Sequence, residues 1–238
     1  MTDLLFRTDP YLAECSAVIL AHTPEGGLVV DRSVFYPTGG GQPGDAGHLV
    51  WAGGRLGIAT AVKVEHGQVA LVPDAPAALP PVGAEVTLRL DWVRRHRLMR
   101  MHTALHLLSV AIPLPVTGGQ IGAERSRLDF DMAEPPGDID ALNAGLNRMI
   151  EADLEVVESW ITDADLAANP GLVKTLSVAP PRGQGQVRLI GIGIGAARID
   201  LQPCGGTHVA RTAEIGRVEI GRIEKKGRQN RRVALHLL

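Results

Sequence analysis

Two short motifs constrain this chain more than any other feature. MHTALHLL places His102 and His106 four residues apart, and PCGGTHV, far downstream, places Cys204 and His208 at the same spacing. On a helix, a four-residue spacing sets both imidazoles on one face, one turn apart, where they can share an ion. Three histidines and one cysteine match a tetrahedral zinc set in type and number. If the two dyads serve one ion, the fold must bring a mid-chain helix against a segment near the C-terminus. The glycines between Cys204 and His208 suit a tight backbone around the ion. A zinc protease of the HExxH kind is excluded, because Thr103 stands where its glutamate base belongs. Four protein ligands close a structural site, whereas a catalytic zinc keeps one position open; the spacing alone leaves both readings standing.

The rest of the sequence reads as two regions, 1–92 and 93–238. Before Asp91, alternating apolar runs predict strands at 28–32, 48–51, 56–65, 68–72 and 85–90, with a tight turn at Glu65-His66-Gly67. Short strands with dense glycine punctuation favour a small barrel. Residues 73–83, with four prolines, read as a connector. Beyond Asp91 the period changes. A helix is expected over 93–112, stopped by Pro113, and another over 139–158 with Asp138 as N-cap. A short helix is expected over 163–169. Strands are expected at 187–192, 198–201, 218–223 and 232–237. The fold class is therefore α+β: an N-terminal small β-barrel followed by a layered α/β domain.

Composition narrows the function classes. The formal net charge is -2, so the chain is no general polycation. The basic side chains are clustered, however, at Arg89, Arg94, Arg95, Arg97 and Arg100, and again over 217–232, which suits a local phosphate-binding surface. Residues 134–165 are strongly acidic. Three Trp, two Tyr and three Phe offer little for extensive base stacking, so RNA contact is expected to lean on backbone charge and shape. Two cysteines form no disulfide framework and indicate a reducing, cytoplasmic setting. No apolar run approaches the ~18 residues of a membrane span, and the N-terminus lacks a secretory signal pattern. In FYPTGGGQPGD, Gly39, Gly41 and Gly44 satisfy GxGxxG by letter. Pro43 and Gly47 oppose the helix that a dinucleotide fingerprint opens, and no GK[ST] follows. An elaborate turn fits this loop best. A loop whose backbone approaches a ligand, with Gln42 and Asp45 as polar contacts, is the alternative.

RRHRLMRMHTALHLL, followed by VTGGQIG, RLDFD and PCGGTHV, resembles the editing domain of alanyl-tRNA synthetase. The upstream FYPTGGGQPGD resembles the glycine motif of the free-standing AlaX-type alanyl-tRNA editing proteins, middle-sized subgroup. Threonyl-tRNA synthetase editing domains share the dyads but lack this glycine loop. The resemblance implies a metal-dependent aminoacyl-tRNA hydrolase, a trans-editing deacylase of seryl-tRNA(Ala) and in some members of glycyl-tRNA(Ala). It implies Zn2+ as cofactor, held by His102, His106, Cys204 and His208, which thereby form the catalytic set. It places the substrate-discriminating segment on 116–120, with Thr117 and Gln120 as candidate hydroxyl partners. It adds Gly39, Gly40, Gly41, Gln42 and Asp45 as candidate substrate contacts. The implied partner is the acceptor stem and aminoacyl-adenosine end of tRNA(Ala), with no membrane and no obligate protein partner. The alternatives are a tRNA-binding protein with a structural zinc, an editing domain acting on Ser-tRNA(Thr), and a zinc hydrolase for another ester. Glu124, Asp129 and Asp200 are the carboxylates considered as bases, each otherwise an ordinary surface charge.

Overall fold

Strands are the dominant regular structure of the chain as far as Leu90, because β-branched and leucine side chains alternate there with polar ones between glycine turns. The computed structural model describes residues 1–175 and 185–238. The chain divides into two compact units, Met1–Arg97 and Leu98–Leu238.

In the first unit β1 (Asp3–Leu4) pairs in parallel with β4 (Arg32–Ser33). The others are β2 (Glu14–His22), β3 (Leu28–Val30), β5 (Gly47–Trp51), β6 (Gly54–Val64), β7 (Gln68–Pro73) and β8 (Glu85–Leu90). These six close into a barrel in the order β2-β3-β7-β6-β5-β8. Closure leaves no open sheet edge, and the inward side chains, among them Ile19, Leu28, Val30, Leu49, Ile58, Leu71 and Leu88, form one buried core. The turn at 65–67 is a single 3-10 turn with His66 in the left-handed region, φ 56°. No strand or helix occupies 74–84.

The second unit combines the two layers expected of an α+β fold. Helix α1 (Trp92–Ala111) runs across the division of the chain. It is followed by β9 (Val116–Gln120), β10 (Arg125–Asp131), α2 (Ile139–Glu151), β11 (Val156–Thr162) and α3 (Asp163–Ala168). Then come β12 (Gln186–Ile192), β13 (Asp200–Pro203), β14 (Val218–Gly227) and β15 (Asn230–Leu237). One sheet has the order β14-β15-β10-β9 and the other β11-β12-β13. The Asp91 carboxylate accepts from the Arg94 N–H at 3.0 Å and caps α1. From Leu98 to Ser109 every residue of the helix is buried apart from the half-buried Arg100. A helix buried nearly all round has no amphipathic stripe, so α1 is a central element rather than a surface one.

One expected element is wrong in extent. The helix begun at Ile139, with Asp138 accepting from Ala141 N–H at 2.8 Å, ends at Glu151. Asp153 adopts φ 50° and turns the chain. The next residues, rich in Val, Ile, Trp and Thr, pair along β12 instead of continuing the helix; β-branched residues favour that extended state. Strands β1, β2, β9, β10 and β11 come in addition to those expected, and the strand expected at 28–32 is divided between β3 and β4.

Candidate metal centre

The two dyads meet. One ligand atom from each of His102, His106, Cys204 and His208 lies within 4.8 Å of every other. Cys204 Sγ is 3.4 Å from His102 Nε2 and 3.2 Å from His208 Nε2. Tetrahedral zinc, with Zn–S about 2.3 Å and Zn–N about 2.0 Å, holds sulfur and nitrogen roughly 3.5 Å apart. The donor set and its spacing therefore fit a zinc ion, although these ligand types also suit other transition metals.

Local sequence explains how each ligand arrives. His102 and His106 sit one turn apart on α1. Cys204 follows β13, where Asp200 and Gln202 are both buried, as alternation along a strand requires. The loop beyond is held by Arg188, whose Nη1 donates to the carbonyls of Cys204 at 3.2 Å and Gly206 at 2.8 Å. Arg188 Nε donates in turn to Glu158 Oε2 at 2.8 Å. Neither Gly205 nor Gly206 has positive φ, so the loop does not depend on left-handed backbone there.

Around the ligands lies a polar shell that spacing did not reveal. His106 Nδ1 is 3.1 Å from Asp200 Oδ2, and Lys174 Nζ is 2.5 Å from Asp200 Oδ1. Gln202 Nε2 donates to Asp200 Oδ2 at 2.8 Å. Thr103 Oγ1 is 3.1 Å from His208 Nδ1. Asp200 is thus no surface charge; its place four residues before Cys204, with Gln202 between, was the signal available in the sequence.

The electrostatics favour the ligand state of the sulfur. Burial opposes ionisation of Cys204, but the charges of His102 and His208 and the hydrogen bonds around it carry its pKa well below the ordinary thiol value. Burial, then the charge of His102, pushes His208 well below the usual imidazole value. Burial also opposes a charge on His106, but hydrogen bonds with Asp200 and Cys204 outweigh it and lift it to about 9. Desolvation works against ionised Asp200, and His106, Lys174 and Gln202 overcome it, holding the carboxyl below the usual range. A thiolate beside the neutral His208 ring is the form that metals bind, whereas His106 must release a proton to ligate, so binding here is coupled to proton loss.

The other expected contacts occupy separate settings. Thr117 Oγ1 donates to Asp129 O at 3.1 Å and accepts from Asn230 Nδ2 at 2.6 Å. Gln120 is exposed at the end of β9, its Oε1 accepting from Arg127 at 3.3 Å. Asp129 is ion-paired with Arg232 and Arg127. The glycine loop is a tight turn: Gly39 and Gln42 exchange backbone hydrogen bonds of 3.0 and 2.9 Å, with Gly40 at φ 57° and Gly41 at φ 81° between them. Two successive positive φ values define the type I′ geometry that favours glycine. A Cβ at Gly44 would lie 2.3 Å from Ala61 O, so strand approach requires that glycine. Gln42 is buried, and Asp45 is buried in an ion pair with Arg95. The first basic cluster is dispersed: Arg95 is buried, Arg89 pairs with Glu14, and Arg100 donates to Ile215 O. In the second, Arg217, Lys225, Lys226 and Arg228 remain exposed ahead of β14, along it and at its hairpin tip.

The barrel, the helix-borne histidines and the Cys-His loop together define a class of protein related to aminoacyl-tRNA synthetase domains. The family described as "Threonyl and Alanyl tRNA synthetase second additional domain" matches residues 187–234, and that described as "tRNA synthetases class II (A)" matches 13–94. The alanyl-tRNA editing protein AlaX-M of Methanosarcina acetivorans is 33% identical, with 100% of both chains covered. That of Saccharolobus solfataricus is 31% identical over 98% of each. The alanine–tRNA ligase of Pyrobaculum neutrophilum is 35% identical over 93% of this chain, which spans only 25% of the ligase. The chain belongs to the AlaX-M family of alanyl-tRNA editing proteins. Among the described residues, no helix is long and apolar enough to cross a membrane.

Proposed function

We propose that this protein is a zinc-dependent trans-editing hydrolase that cleaves the ester of seryl-tRNA(Ala), with glycyl-tRNA(Ala) as second substrate, in the cytoplasm. The observation that carries this reading is the convergence of the four ligand atoms within 4.8 Å, in a chain aligned end to end with an AlaX-M relative. Bound there, zinc would supply Lewis acidity toward an ester that is already activated, with one of the four ligands giving way to the substrate, since a catalytic zinc needs an open position. The protein's own groups do the rest. His102, His106, Cys204 and His208 hold the ion. Asp200 stays ionised and fully engaged, so it orients His106 and is not the base. Position and preorganised dipoles then supply most of the remaining acceleration.

Selectivity follows from unpaired polar groups. A pocket that hydrogen-bonds the seryl hydroxyl rejects the alanyl ester, which leaves those groups without a partner. Gln120 and Thr117 are proposed for this, Thr117 through its bonds to Asn230 and Asp129. The backbone turn at Gly39, Gly40, Gly41 and Gln42 is proposed to meet substrate; the Asp45 carboxylate is committed to Arg95 and to Tyr36 N–H. The exposed cations of β14 and its tip are proposed to take acceptor-stem phosphates.

The test is deacylation of Ser-, Gly- and Ala-tRNA(Ala) and Ser-tRNA(Thr), each with and without chelator. The proposal expects serine and glycine release from tRNA(Ala), sparing of Ala-tRNA(Ala), and loss of turnover on chelation. Retention of tRNA without turnover would instead favour a structural metal. Preference for Ser-tRNA(Thr) would favour the threonyl-type specificity.

A further inference from the structure

Each metal-ligand dyad leans on a residue from the other dyad's element. His106, on α1, meets Asp200, which begins β13 just ahead of Cys204. His208, in the Cys204 loop, meets Thr103, on α1. We propose that Asp200 and Thr103 are positioning residues that cross-brace the two dyads and fix both histidines in the tautomer that leaves Nε2 for the ion. This inference rests on the metal reading above.

A neutral imidazole carries one N–H, and its partner decides which nitrogen bears it. An ionised carboxylate only accepts, so Asp200, at 3.1 Å, places the proton of His106 on Nδ1. Asp200 is itself fixed by Gln202 at 2.8 Å and Lys174 at 2.5 Å. Gln202 also reaches Ser109 Oγ at 3.3 Å, and Ser109 donates to the His106 carbonyl at 2.7 Å. That circuit returns to the helix turn carrying His106.

The Thr103 hydroxyl has one proton, and Met99 O takes it at 3.0 Å. Toward His208 Nδ1, 3.1 Å away, the hydroxyl therefore accepts. The Val209 N–H donates to the same oxygen at 3.3 Å, tying the residue after His208 to the helix. In the neutral rings that a metal requires, both Nε2 atoms are therefore left without the proton. His208 Nε2 already stands 3.2 Å from Cys204 Sγ.

The experiment measures zinc affinity of the full chain by competition with a chromophoric chelator, together with the visible spectrum of the Co2+-loaded protein. Outer partners of metal-bound histidines are typically worth about 10–100-fold in affinity. Asp200→Asn and Thr103→Val are each expected to weaken zinc by that factor and to alter the Co2+ spectrum. Thr103→Ser, which keeps the hydroxyl, is expected to restore both. Far-UV circular dichroism checks folding, and if Asp200→Asn does not fold, the Thr103 pair decides. Affinity and spectrum unchanged in Thr103→Val and in any folded Asp200→Asn would overturn the brace, as would a parent protein that binds no zinc. Tight zinc binding that responds to these variants, in a protein that hydrolyses no aminoacyl-tRNA, supports the brace and refutes the proposed reaction.

Discussion

Asp45→Asn tests whether the glycine loop is held by an interior charge pair. Arg95 is fully buried, and its Nε lies 3.1 and 3.0 Å from the two Asp45 oxygens. Its Nη2 reaches Asp45 as well as Val34 O, and Nη1 reaches Pro10 O at 2.9 Å. Asp45 Oδ2 also accepts from Tyr36 N–H at 2.6 Å. Replacing the carboxylate by an amide strands a guanidinium in the core with no opposing charge. Removing one partner of a buried pair costs about 3–5 kcal/mol. Urea titration of the full chain, read by tryptophan fluorescence to which Trp51 and Trp92 of this unit contribute, should register that loss. The double variant Asp45→Asn/Arg95→Met should recover part of it, because an apolar replacement of the whole pair leaves no stranded charge. Hydrolysis by Asp45→Asn should track the folded fraction. A melt within about 0.5 kcal/mol of the parent, the range of an ordinary surface change, would refute the reasoning. So would loss of hydrolysis at unchanged stability, which would return Asp45 to the substrate.

The remaining tests address the ion, the sheet and the RNA. Cys204→Ala and His102→Ala should each abolish turnover and stoichiometric zinc, measured by metal analysis of the purified protein. Asp129 is held below the ordinary carboxylate range: burial opposes its ionisation, but Arg232 and Arg127 override it. A depressed folded pKa gives stability that is present above the unfolded value, about 3.9, and lost as pH falls through the folded one. Asp129→Asn should therefore flatten the fall in urea midpoint below about pH 4 relative to the parent. Neutralising Lys225, Lys226 and Arg228 should weaken tRNA binding and lower the salt slope by about 1 for each phosphate that is no longer neutralised. Zinc content should stay unchanged; an unaltered salt slope would remove this hairpin from the interface.

Much of this arrangement was legible in residue order, and the exceptions have physical causes. The barrel showed in its alternation and turn glycines, and the dyads in their four-residue spacing, because both depend on local periodicity. The end of α2 did not show, since Leu146, Met149 and Ile150 keep helical spacing up to the stop at Glu151, and only the left-handed Asp153 breaks the run. β2 was hidden because SAVILA is apolar on both faces, so its alternation is blurred. Lys174 and Thr103 were invisible as site residues, and Asp200 showed only as one candidate base among three, because their roles arise from tertiary pairing. A lone carboxylate in a sequence is usually a surface charge; only register across β12 and β13 buries this one.

Three arginines that are buried among the described residues, Arg95, Arg188 and Arg231, share a further role. Each spends part of its fork on backbone carbonyls of irregular segments or strand ends. Arg95 takes Pro10 and Val34; Arg188 takes Cys204 and Gly206; Arg231 takes Ala133, Gly227 and Asn230. Irregular backbone that turns inward leaves carbonyls with no ladder partner, and an unmet one costs about as much as a broken hydrogen bond. A guanidinium satisfies several at once in fixed directions, which a lysine ammonium does with less geometric constraint. The glycine loop through Asp45, the Cys-His loop and the β14–β15 hairpin are therefore each tied to a buried cation. Arg188→Lys should then loosen the Cys204 loop and weaken zinc while Glu158 keeps a cation. Zinc affinity equal to the parent in Arg188→Lys would show that the fork itself is dispensable.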